Sequence, residues 1–139
     1  MKYANTLEGK VISRVNRRRA TVFLREDFLD LSDYDQVGRA LRNLSKQGKL
    51  IKIGYGLYAK ARISALTGKP TLAEPLPALA KTALERIGVP IGVTQAELEY
   101  IEGRSTQVPT GRMIAVEGRV TRKIMYRDVK ISYERKNTR

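Results

Sequence analysis

The chain has 139 residues, 42% hydrophobic and 29% charged, with 27 Lys and Arg against 14 Asp and Glu and a net charge of +13. That composition excludes a disordered chain and makes a polyanion the expected partner. It has no Cys and no His, which excludes disulfides, thiol chemistry, the usual zinc sites and every catalytic triad built on a His base.

No run of about 18 apolar residues occurs, so no membrane span is expected. The N-terminal MKYANTLEGK lacks the apolar core of a signal peptide. Absence of Cys suits a reducing cytoplasm. No cofactor and no metal are expected, and the chain reads as a binding protein rather than an enzyme. The cations lean toward the front: 14 against 6 acids in residues 1–62, and 13 against 8 thereafter.

Residues 6–16 read as a short helix, capped by Thr6 or Asn5, with Leu7, Val11, Ile12 and Val15 on one face. Arg17, Arg18 and Arg19 come next, either as a solvated helix end or as phosphate contacts. Thr21-Val22-Phe23-Leu24 is a β-rich run. Arg25 to Leu29 forms a brief helical turn whose Phe28 and Leu29 are expected in the core. Ser32 or Asp33 caps a helix over 33–47. Its Val37, Ala40, Leu41 and Leu44 repeat at helical spacing and form a buried stripe. Gln36, Arg39, Asn43 and Lys46 lie away from that stripe, and Arg42 flanks it. Arg reads guanine bidentately and Asn or Gln reads adenine, so these types suit groove readout. Gly48 stops the helix.

Leu50-Ile51-Lys52-Ile53 and Leu57-Tyr58-Ala59 are strands joined by Gly54-Tyr55-Gly56, with glycines suited to a tight turn. Lys49, Lys52, Tyr55 and Lys60 are available for a phosphate backbone. Between Asp35 and Glu74 stand eight cations and no acid, so local salt bridges cannot neutralise them. Helix plus basic hairpin is the arrangement that a winged helix presents to DNA.

Residues 61–77, with Gly68, Pro70, Pro75 and Pro77, read as a linker with at most a short helix near 63–66. A helix starting near Pro77 buries Leu79, Ala80, Ala83, Leu84 and Ile87 and stops at Gly88. Thr94-Gln95-Ala96-Glu97 is a capping box opening a helix with Ala96, Leu98 and Ile101 partly buried. Ser105 to Thr110 is extended, and Pro109 argues for an edge. From Arg112 three strands form an antiparallel meander, with a frayed tail from Glu134. The expected fold class is α+β: a winged helix-turn-helix domain in 1–68, then a small α+β domain in 69–139 with a short antiparallel sheet.

The run from Val22 to Arg62 resembles the N-terminal domain of the AbiEi family of antitoxins, specifically its short members. The matching features are Val22, Phe23, Asp27 and Phe28, then Ala40, Leu41, Leu44 and Gly48, then Gly54, Gly56 and Tyr58 of the wing. The Pro-rich joint, the helix after it, Ser105 to Pro109 and a final hairpin-like region are similar to the part of that family C-terminal to the wing. The resemblance spans roughly residues 6–134. It implies a winged helix that binds repeats in its own promoter and represses the operon. It also implies a C-terminal domain that opposes a nucleotidyltransferase-type toxin of type IV systems, without a stable complex. On this reading Gln36, Arg39, Arg42, Asn43 and Lys46 contact bases and nearby phosphates. Arg17, Arg18, Arg19, Lys49, Lys52, Tyr55 and Lys60 contact the backbone or minor groove. The residues alone leave two other partners open, an acidic protein and RNA. Oligomeric state is not written in the sequence.

Overall fold

The computed structural model describes residues 6–136. The chain is α+β and divides into two compact units, one ending at Pro75 and the other beginning at Leu76. The alternative cap Asn5 and residues 137–139 of the tail lie outside the described residues.

The first unit opens with α1 (Leu7–Arg17). The Thr6 hydroxyl accepts from the Gly9 N–H at 3.0 Å, satisfying one of the orphan donors of the first turn. Val11 and Val15 are buried, with Leu7 and Ile12 packed at the margin. Strand β1 (Val22–Phe23) leads into a 3-10 turn (Arg25–Phe28). The Asp27 carboxylate fixes that turn by accepting from the Leu24 N–H at 2.9 Å. The rings of Phe23 and Phe28 meet at 6.0 Å, tilted by 34°. Leu29 does not join them: it is 42% exposed, because the turn ends at Phe28 and carries the next residue outward.

Helix α2 (Tyr34–Lys46) is capped by Asp33, whose Oδ1 accepts from the Gln36 N–H at 2.8 Å. At its far end Gly48 takes φ +76 and the Lys49 N–H reaches back to the Leu44 carbonyl at 2.9 Å. That is the left-handed glycine stop the sequence suggests. Val37, Leu41 and Leu44 join Val11, Val15, Phe23, Phe28, Leu50 and Tyr58 in one core cluster. Burying a side chain such as Leu44 contributes roughly 1.5–3 kcal/mol.

Strands β2 (Leu50–Gly54) and β3 (Leu57–Ile63) form an antiparallel hairpin with an irregularity between Lys52 and Gly54. Gly56, at φ +67, makes the turn. β1 pairs antiparallel with β3, placing Phe23 opposite Tyr58. The expected linker is partly sheet instead. β3 runs on to Ile63, and β4 (Pro70–Leu72) returns along it. The Ser64 hydroxyl accepts from the Leu66 and Thr67 N–H groups at this bend, so the segment near 63–66 is a turn and not a short helix. Pairing of β4 with β3 is why the first unit continues to Pro75, beyond the expected break after residue 68.

In the second unit α3 (Leu76–Arg86) buries Leu76, Leu79, Ala80, Ala83 and Leu84. Gly88 at φ +86 stops it. Strand β5 (Ile91–Gly92) precedes α4 (Gln95–Ile101). The capping box forms as the sequence requires: the Glu97 N–H donates to the Thr94 hydroxyl at 3.1 Å and the Thr94 N–H to Glu97 Oε1 at 2.9 Å. No residue of α4 is buried, and Ala96, Leu98 and Ile101 are exposed, against the expectation of partial burial. Seven residues give too little length to seat a stripe.

The final region departs furthest from the sequence reading. β6 (Met113–Glu117) pairs antiparallel with β5 but parallel with β9 (Ser132–Lys136). A separate small hairpin, β7 (Met125–Tyr126) with β8 (Val129–Lys130), interrupts the path. A three-strand antiparallel meander is therefore not formed. Residues 105–112 hold no strand, so Pro109 marks no sheet edge. The segment from Glu134 to Lys136 is part of β9 rather than frayed, held because the Glu134 carboxylate accepts from the Gln95 N–H at 2.9 Å.

Candidate nucleic-acid interface

The core stripe of α2 dictates which side chains stay outside. Arg39, Arg42 and Lys46 are exposed, as is Gln36. Asn43 is half-buried. With Gln36 and Arg39 it lines a shallow hollow of about 190 Å³ against Thr6, Leu7 and Glu8 of the α1 end. The roles of Asn43 and Arg42 are thus exchanged relative to the sequence reading. Asn43 flanks the buried side, while Arg42 stands clear.

The other flank of α2 carries a residue the sequence reading placed only in a turn. The Arg25 guanidinium lies 4.2 Å from the centroid of the Tyr34 ring, a cation–π contact. It sits across Gly38, where an added Cβ would come within 2.5 Å of Arg25 Cζ. A glycine inside a helix costs about 1 kcal/mol relative to Ala, and here it clears the path for a guanidinium. That mid-helix glycine, one turn after Tyr34, was the available signal. Burial raises the pKa of the Tyr58 phenol, and the nearby charges of Arg25 and Arg42 draw it partly back. Lys52 pairs in register with Tyr58 across the hairpin. Arg25 and Arg42 therefore lie near one buried tyrosine, and Lys52 stands opposite it in the hairpin register. Tyr55 at the hairpin tip is 73% exposed, with Lys52 Nζ 6.0 Å from its ring centroid. Among the described residues none of Arg39, Arg42, Lys46 and Lys52 is held in an ion pair.

The remaining candidates gather elsewhere, around the end of α1. Arg17, Arg18 and Arg19 are exposed there. Lys60 donates from Nζ to the Arg18 carbonyl, so its ammonium ties β3 to the end of a helix where a cation suits the dipole. Lys49 and Arg62 line a hollow of about 500 Å³ with Ile12, Asn16 and Ile63. The twelve candidate residues thus form two groups. One comprises the α2 ridge with the hairpin tip, and the other surrounds the α1 terminus.

Arg14 and Asp30, sixteen positions apart, hold the first unit together from outside the candidate groups. Arg14 donates to both Asp30 carboxylate oxygens, at 2.6 and 2.7 Å, and to the Asp27 carbonyl at 2.8 Å. Its guanidinium also lies 5.8 Å from the Phe28 ring centroid. These hydrogen bonds lower the Asp30 carboxyl to about 2 and raise the Arg14 guanidinium. Among the described residues no three metal-ligating side chains stand together, and no helix is long and apolar enough to cross a membrane.

Fold and surface together define a small two-unit α+β protein that displays a basic helix and hairpin. The chain belongs to a family described as a family of unknown function, DUF6088, whose model matches residues 10–138. No curated protein and no solved structure matches it.

Proposed function

We propose that this protein is a double-stranded-DNA-binding repressor of its own promoter, with a winged helix-turn-helix as its first unit. On this reading the 3-10 turn and α2 are the two helices of the motif, and β2–β3 is the wing. α2 enters the major groove. The observation that carries the reading is the α2 ridge: Arg39, Arg42 and Lys46 are exposed and, among the described residues, in no ion pair, beside a hairpin with Lys52 on β2 and Tyr55 at its tip. Arg39 and Arg42 read bases, and Lys52 and Arg25 hold the phosphate backbone. The antitoxin role, acting in the cytoplasm against a nucleotidyltransferase-type toxin without a stable complex, rests on the resemblance to AbiEi antitoxins and is proposed with it.

Binding of the purified protein to its own upstream DNA, against a scrambled duplex of equal length, tests the reading. Preference for the upstream DNA is expected to reach about 10³-fold or more. Arg39→Ala with Arg42→Ala is expected to remove that preference, each base-reading Arg contributing about 1–3 kcal/mol. Equal binding to both duplexes overturns the repressor reading and favours an acidic protein or RNA as partner. Coexpression with the product of the adjacent gene tests the antitoxin role: growth inhibition that the protein does not relieve overturns it.

A further inference from the structure

The β7–β8 hairpin holds a backbone shape that its residues do not favour. Tyr126 pairs with Val129, leaving Arg127 and Asp128 as a two-residue loop. Arg127 has φ +53, and among the described residues every other positive φ belongs to glycine. The first central position of such a loop is the natural place for Gly, Asn or Asp. A long side chain there carries a steric penalty in the folded state. The base of the hairpin is firmly set. Ile124 and Ile131 are buried, and the Ile131 N–H donates to the Ile124 carbonyl at 3.0 Å. The Tyr133 hydroxyl donates to the Arg122 carbonyl at 2.7 Å. The anchored base leaves the tip projecting, with the Arg127 guanidinium 5.0 Å from the Tyr126 ring centroid.

Charge around the tip is one-sided. Between Glu117 and Glu134 stand Arg119, Arg122, Lys123, Arg127 and Lys130 against Asp128 alone. Arg119, Lys123, Arg127 and Lys130 are all exposed. A strained backbone that presents a cation at the tip of a basic hairpin fits a phosphate contact. The planar guanidinium matches a phosphate bidentately, and a side chain held at a position that favours glycine marks a residue whose presence costs the fold something. We propose that the β7–β8 hairpin is a second DNA-backbone contact, with Arg127 as its phosphate ligand. The second unit then binds DNA in its own right. This rests on the DNA-binding reading of the first unit.

Arg127→Gly separates the side chain from the fold. Glycine relieves the positive φ, so the variant is expected to melt no lower than the parent. Its affinity for upstream and scrambled duplexes alike is expected to fall severalfold, and the slope of log affinity against log salt to shrink by about 1. Arg135→Gln, an equal loss of charge at an exposed cation of the same unit that is in no ion pair among the described residues, is expected to change both far less. An Arg127→Gly variant with parental affinity and slope overturns the hairpin's role while leaving the first unit's intact. A loss matched by Arg135→Gln also overturns it, since general charge then suffices. A parent protein that binds neither duplex overturns the underlying DNA-binding reading, and the inference with it.

Discussion

Arg14 and Asp30 show how much one pair of residues can hold. Their bidentate contact joins α1 to the chain between the 3-10 turn and α2, and α2 carries the candidate ridge. An aspartate in an unfolded chain titrates near 3.9, whereas the Arg14 hydrogen bonds bring Asp30 to about 2 in the folded state. A carboxyl depressed on folding adds stability that is full above its unfolded pKa and is lost as pH falls through the folded one. The contribution of Asp30 is therefore present above about pH 4 and fades between pH 4 and 2. Asp30→Asn is expected to flatten that part of the acid limb, read from urea midpoints across about pH 2–5. Arg14→Ala should also lower the Tm at neutral pH, by about 5 °C, the scale of losing a charge-assisted hydrogen-bond set in a unit of this size.

The ends of the helices are the elements most closely tied to local sequence. Thr6, Asp33 and Thr94 each accept from an N–H of the first turn, because a side-chain oxygen at that position can satisfy a donor that has no intrahelical partner. Thr94→Ala removes half of a capping box whose threonine is buried, and should cost about 1 kcal/mol of the second unit's stability. Thr94→Ser should restore most of it, with amide exchange along α4 as the readout. Gly48 ends α2 at φ +76, and a Cβ there would meet Pro70 Cγ at 2.5 Å. Gly48→Ala is therefore expected to destabilise the first unit by at least about 1–2 kcal/mol. A urea midpoint equal to the parent's would mean that this turn has another conformation.

At the scale of the molecule, a charge of +13 sets how the protein should respond to salt. On the proposed DNA-binding reading, six to eight phosphate contacts would lower affinity by about 10³-fold or more between roughly 50 and 200 mM salt. Lys52→Ala should weaken every duplex about equally and reduce the salt slope by about 1, leaving sequence preference unchanged. Titrations of both duplexes at several salt concentrations separate this behaviour from that of Arg39→Ala, which should relax preference at one position.

Features that depend on neighbours within a few positions were legible from the residues alone. The α2 stripe of Val37, Leu41 and Leu44, the glycine stop at Gly48, the hairpin turn at Tyr55-Gly56 and the Thr94–Glu97 box are all of this kind, because helix periodicity, caps and tight turns are set by local backbone geometry, although Gly54 closes β2 rather than joining the turn. Features that depend on distant partners came only with the folded chain. Pro70 to Leu72 is a strand because β3 offers an edge to pair with. The polar strand β9 runs parallel to β6, a pairing that alternation along one strand cannot disclose. Arg25 belongs beside the α2 ridge because Tyr34 and Gly38 receive it there. Lys60 faces the α1 end rather than the hairpin tip because the Arg18 carbonyl holds it. In each case a long side chain or an unpaired strand edge was settled by a contact far away in sequence, and only the packed chain supplies that contact.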